Sequence, residues 1–113
     1  MPVEQDLIKV ICPAIQSRNL IRFWYENGRR KEFRTVEPYV IGSFRRGNIL
    51  LSAWVIPTTE QAMSGITEGW RSYTLRNISE VQVLDEKYSK PREGFDPTAN
   101  GMSEIHCSPM RIS

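Results

Sequence analysis

Apolar residues at three- and four-residue spacing open the chain. Leu7, Ile8, Ile11, Ala14 and Ile15 share one face and predict a helix over residues 5–18. Pro13 falls inside that pattern, where a proline deletes a backbone hydrogen bond and crowds the preceding turn. A kink or break near Cys12 is therefore expected, giving two short helical pieces. Polar Ser17-Arg18-Asn19 ends the pattern, with Asn19 as the expected C-terminal cap.

The period then changes to two. Over residues 20–26, Ile21, Phe23 and Tyr25 take one face, and Leu20, Arg22, Trp24 and Glu26 take the other. Asn27-Gly28 follows as a strong turn signal, and strand alternation resumes over residues 33–41. Pro38 within that run calls for an edge position, a bulge or a sharp bend. A second turn holds Arg45 and Arg46 between Gly42 and Gly47. Residues 49–56 are the most apolar strand and are expected at the centre of the sheet; Pro57 stops them. A polar connection over residues 58–68, long for a hairpin, marks a mobile or functional segment. Residues 70–75 form a fourth strand, and Ile78, Val81, Val83 and Leu84 mark a fifth.

One helix followed by five short strands predicts a mainly β domain over residues 1–87. Its expected form is a five-stranded small barrel of SH3 or Sm type, in which closure hides the sheet edges. From residue 88 the pattern fails, with Pro91, Gly94, Pro97 and Gly101 in weakly hydrophobic sequence. Residues 88–113 read as an extended tail. Tyr88, Phe95, Met102 and Ile105 are its candidate anchors, on the domain or on a partner.

Length and composition leave this picture standing. A chain of 113 residues with 40% hydrophobic positions suffices for one core. No apolar run approaches the roughly 20 residues of a membrane helix. The acidic start, with Glu4 and Asp6, lacks the basic region of a secretory leader, so a cytoplasmic location is expected. Cys12 and Cys107 have neither metal-ligand nor redox spacing, and two reduced thiols are expected in that compartment. His106 is the only histidine, without clustered acidic ligands, so neither metal nor cofactor is expected. Nucleophile–base motifs and phosphate-cradling glycine loops are absent, which points away from an enzyme.

Charge adds one asymmetry. Up to Arg76 there are eleven Lys/Arg against seven Asp/Glu, a balance of +4; beyond it there are four against six, or −2. The basic excess thus sits in the part expected to fold, and eleven of the fifteen basic residues are arginine. Arginine's planar fork suits bidentate phosphate recognition. Arg34 and Arg71 each open a strand, so the pair is the leading candidate for gripping an anion, with Arg76 in support. The alternative is surface pairing of Arg34 and Arg71 with Glu37 or Glu68. Arg45 and Arg46, like Arg29, Arg30 and Lys31, lie at turns, as solvated tips or as further contacts. Trp70, beside Gly69 and Arg71, is the candidate exposed ring for stacking a base, whereas Trp54 and Tyr73 read as core.

The order of these features resembles a bacterial WYL domain. The resemblance spans residues 7–86 and rests on Ile21-Arg22-Phe23-Trp24-Tyr25, Arg34-Thr35-Val36-Glu37-Pro38-Tyr39, Leu51-Ser52-Ala53-Trp54 and Arg71-Ser72-Tyr73-Thr74-Leu75-Arg76-Asn77-Ile78. It implies an Sm- or SH3-like barrel that senses a ligand, usually attached to a DNA-binding winged helix in transcriptional regulators. In some members the ligand is single-stranded nucleic acid. Arg34 and Arg71 match the family's strand-mouth arginines, and Arg76 a polar or charged position. The Trp-Tyr-Leu trio reads Ile49-Leu50-Leu51 here, keeping only the leucine. No helix-turn-helix precedes the barrel, so a stand-alone module is expected. Its partners would be single-stranded nucleic acid or a nucleotide, and a separate effector protein, in transcriptional or defence-related regulation. The competing expectation is a protein-interaction adaptor or homodimer. An enzyme acting on nucleotides is a third, weaker one.

Overall fold

A computed structural model describes residues 4–28, 30–43, 48–89, 92–95 and 104–107. The chain begins with helix α1 (Glu4–Ser17), which passes through Pro13 as one element. The two separate pieces expected at the proline do not form. Burial of Leu7, Ile11, Ala14 and Ile15 along one face spans the missing hydrogen bond and holds both halves on the sheet. Arg18, at φ +64°, takes the left-handed position after the helix. Asn19 is therefore not the cap. It begins the next strand, and its side-chain amide donates to the Leu84 carbonyl at 2.8 Å.

Strands β1 (Asn19–Asn27), β2 (Arg30–Ser43), β3 (Ile49–Val55), β4 (Gly69–Thr74), β5 (Ile78–Lys87) and β6 (Glu104–Cys107) form one antiparallel sheet. Its order is β4-β3-β2-β1-β5, with β6 added to β2. The most apolar strand, β3, lies inside the sheet, but the middle of the order is β2. Fourteen residues long, β2 pairs with β1 through residues 30–36 and with β3 through residues 36–43. Pro38 offers no N–H to the ladder, and the register slips between Pro38 and Val40. The bulge lets residues 36–42 of β2 be buried throughout.

Two apolar clusters result. The first joins α1 to Ile21, Phe23, Val36, Ile41, Leu51, Ala53, Val55 and Tyr73. The second, around Leu20, Tyr39, Val40 and Tyr88, includes Trp54, Trp70 and Phe95. Tyr88 and Phe95 thus anchor the C-terminal segment on the domain. Ile105 is exposed, and Met102 lies outside the described residues.

The closed barrel expected from the strand count is not what the pairing gives. Among the described residues no ladder joins β4 to β5. A 3-10 turn at Leu75–Asn77, plugged by buried Leu75, carries the chain from one edge strand to the other. The fold is an open, six-stranded antiparallel sheet with an N-terminal helix. The expectation of reduced thiols is also corrected. Pairing of β6 with β2 brings Cys107 to α1, with 5.8 Å between its Cα and that of Cys12, and the two form a disulfide.

Candidate anion site

On the α1 side of the sheet, away from the helix, β1, β2 and β4 surround a cavity of about 460 Å3. Alternation decides who faces it. Arg30, Glu32 and Arg34 share parity with core residue Val36, and Arg71 shares parity with Tyr73. Arg30, Glu32, Arg34, Arg71 and Tyr73 line the cavity together with Tyr25. Arg34 is opposite Phe23 in the ladder and Arg71 opposite Ala53, both members of the first cluster. The same parity that buries a strand residue here presents an arginine a few positions away.

The rim comes from the connection after β3. Helix α2 (Thr59–Met63) starts in a capping box: the Thr58 hydroxyl accepts from the Gln61 N–H, and the Gln61 side chain accepts from the Thr58 N–H. Gln61 also donates through Nε2 to the Phe33 carbonyl at 2.9 Å, which pins the segment to β2. Residues 64–66 then close one side of the cavity. This connection, expected to be mobile or functional, is ordered by its cap and faces the site.

Arg34 is the unusual group. It is 7% exposed, and Nη2 makes an ion pair with Glu32 Oε2. Its Nε and Nη1 are buried without a hydrogen-bond partner among the described residues. Tyr73 is similarly placed. Its ring packs edge-on against Phe23 and Tyr25, at centroid distances of 5.1 and 4.8 Å, and its hydroxyl has no partner among the described residues. Burial pushes the Tyr73 phenol up to about 12, against the opposing pull of Arg34 and Arg71. It is therefore a neutral hydrogen-bond donor at ordinary pH. Tyr25 is fixed by accepting the Thr74 N–H at 3.3 Å. Among the described residues, three arginines against one carboxylate give the lining a net charge of +2. Chemically, the site offers cationic and phenolic donors to a ligand rich in acceptors.

Of the residues singled out in the sequence, Arg34 and Arg71 come together on this cavity. Arg76 does not: it is exposed, and its Nη2 reaches Asn48 Oδ1 at 3.4 Å. Trp70 is also elsewhere. It is half-buried on the opposite face of the sheet, against Tyr39, Trp54 and Phe95, and its indole N–H donates to the Glu93 carbonyl. It presents no free stacking face beside Arg71, because neighbouring residues on a strand point to opposite sides. Arg29, Arg45 and Arg46 lie outside the described residues. Glu37, the expected surface partner, is buried on the far side of β2 and pairs with Arg92; Arg34 takes Glu32 instead. Tyr25, Glu32 and the 64–66 rim were not singled out. For Glu32 the signal was present, as it lies two residues from Arg34 on the same face. Among the described residues, no three His, Cys, Asp or Glu side chains cluster as a metal site. No described helix is long and apolar enough to cross a membrane.

The family model of the WYL domain matches residues 6–83. Among solved structures, the proteasome accessory factor B/C (PafBC) of Arthrobacter aurescens is similar, with a TM-score of 0.61 at 23% identity. The match covers 81% of this chain and 13% of that one, so this chain corresponds to a small part of its neighbour. The likeness extends to the fold. No curated protein sequence matches the chain.

Proposed function

The chain belongs to the WYL domain family, and from that premise we propose that it is a regulatory, ligand-sensing module without catalytic activity. Its ligand is anionic and enters the cavity between β2 and β4. One observation carries the reading: Arg34, a buried arginine with donors unmet among the described residues, lies on the same cavity as Arg71, Arg30 and the Tyr73 hydroxyl, which is also without a partner among them. Unpaired buried donors are costly, so a site that keeps them is relieved by the ligand that pairs them. Single-stranded nucleic acid or a nucleotide is the ligand class. A phosphate would bridge Arg34 and Arg71, Tyr73 would donate to a phosphate oxygen, and Glu32 would yield Arg34 to the ligand. The register shift of β2 at Pro38 and the corner at Leu75–Asn77 support taking the sheet as an SH3- or Sm-like barrel left open between β4 and β5.

The test is a titration of labelled single-stranded oligonucleotide, mononucleotide and inorganic pyrophosphate at low and high salt. Binding through phosphate predicts affinity that falls steeply with salt for the oligonucleotide, and loss of binding in Arg34→Ala/Arg71→Ala. Absence of binding by all three probes at low salt overturns the reading.

A further inference from the structure

The opposite face of the sheet is completed by four residues from far along the chain. Residues 92–95 (Arg92-Glu93-Gly94-Phe95) lie across Tyr39, Trp54 and Trp70. Arg92 forms a bidentate pair with Glu37: Nε donates to Oε1 at 2.9 Å and Nη2 to Oε2 at 2.7 Å. The Glu37 side chain is 3% exposed and that of Arg92 is 39% exposed. The guanidinium carbon also lies 5.3 Å from the centroid of the Trp54 ring. Two main-chain hydrogen bonds flank this anchor: the Arg92 N–H donates to the Tyr39 hydroxyl at 3.0 Å, and Trp70 Nε1 donates to the Glu93 carbonyl at 2.9 Å. Phe95 then stacks on Trp70 and packs against Tyr39. Gly94 has φ +90°, and a Cβ there would lie 3.0 Å from Trp70 Nε1.

This combination has the form of peptide recognition. A charged anchor and an aromatic anchor sit three residues apart, main-chain bonds set the register, and a glycine fits where the receptor comes closest. Among the described residues the receptor half comes from the sheet: Glu37, Tyr39, Trp54 and Trp70. Glu37 is the selective element. Its Oε1 also accepts from the Tyr39 hydroxyl at 3.0 Å, and a carboxylate this buried demands a cation. The side-on, two-bond geometry beside an indole ring fits a planar guanidinium and discriminates against an ammonium.

We propose that this notch is a docking site for a partner's peptide of the form Arg-x-Gly-aromatic, and that residues 92–95 are its resident occupant. A segment of the same chain is present at high effective concentration, so it sets a threshold the partner's peptide must exceed. The exposed outer part of Arg92 is where a competing guanidinium gains entry. This site is separate from the anion cavity. Both are built on β2 and β4, however, with Arg34 and Arg71 on one side and Glu37 and Trp70 on the other.

The experiment vacates the notch in the full chain with Arg92→Ala/Phe95→Ala. A synthetic peptide of residues 88–97 is then titrated while tryptophan fluorescence is followed. Saturable binding to the vacated chain is expected, at least about tenfold tighter than to the wild type, whose own segment competes. The same peptide carrying Arg92→Ala should lose about tenfold or more, as should the native peptide on a vacated chain also carrying Glu37→Gln. Equal binding of the two peptides, or no binding to a vacated chain with native circular dichroism, overturns the proposal. If the double variant does not fold, Phe95→Ala alone keeps the Glu37–Arg92 pair and serves instead. It must bind the peptide more tightly than the wild type does, and equal affinity overturns the proposal.

Discussion

On the proposed reading, Arg34 is a residue set against stability for the sake of binding. Its guanidinium is nearly enclosed, has one ion pair, and leaves Nε and Nη1 unmet among the described residues. Replacing such a group by an apolar side chain of similar length is often neutral or stabilising. Arg34→Met is therefore expected to match or exceed the wild type by about 1 kcal/mol in urea unfolding while losing anion binding. A loss of stability of 2 kcal/mol or more would show instead that Arg34 is structural. At this scale the sequence was partly legible. Arg34 and Arg71 could be placed on one face from alternation, although they lie inside β2 and β4 and do not open them as expected, but alternation also sets Trp70 opposite to Arg71, and the expected stacking role ignored that rule. Arg92 escaped notice because its partner Glu37 lies 55 positions away, across a segment with no periodicity.

At the scale of elements, β2 does the most. It carries Arg34 to the cavity and Glu37 to the opposite notch, and its register shift at Pro38 falls within the stretch that is buried throughout. The strands were legible because their apolar residues alternate and their turns carry glycine; Gly28, at φ +61°, is such a turn. The course of the helix was not, because local propensity argued for a kink or a break, and tertiary burial overrides the break. The penalty of Pro13 should still be present in α1. Pro13→Ala restores an N–H for the Lys9 carbonyl on an exposed position, and is expected to raise stability by about 1–3 kcal/mol. An unchanged urea midpoint would mean that α1 has already relaxed around the proline.

At the scale of the whole molecule, non-local links decide what the sequence could not. Sheet closure depends on which edges meet, and strand patterns do not specify that. The Cys12–Cys107 disulfide closes a sequence separation of 95 residues, invisible from spacing alone. The chain-entropy account gives a link of that length about 4–5 kcal/mol, so reduction, or Cys12→Ser, is expected to lower stability by up to that amount. Identical unfolding curves with and without reductant would contradict the bridge. Buried phenols add a pH dependence. Burial raises Tyr39, Tyr73 and Tyr88, Tyr73 to about 12 from an ordinary 10.0. The native state holds these protons after the unfolded chain has released them. Their contribution is complete below pH 10.0 and lost as pH rises toward 12, with a shallower fall in Tyr73→Phe. Urea midpoints across that range check it; a flat profile would contradict it. Anion binding by the arginine-lined cavity is what the proposed function stands on. Its most direct measurement is the affinity of one labelled single-stranded oligonucleotide, at low salt, for the wild type, Arg34→Ala/Arg71→Ala and Arg76→Ala. The account predicts that binding collapses in the cavity variant and stays within about twofold of wild type in Arg76→Ala, which lies outside the cavity. Equal loss in both variants, or retention in the cavity variant, would contradict it.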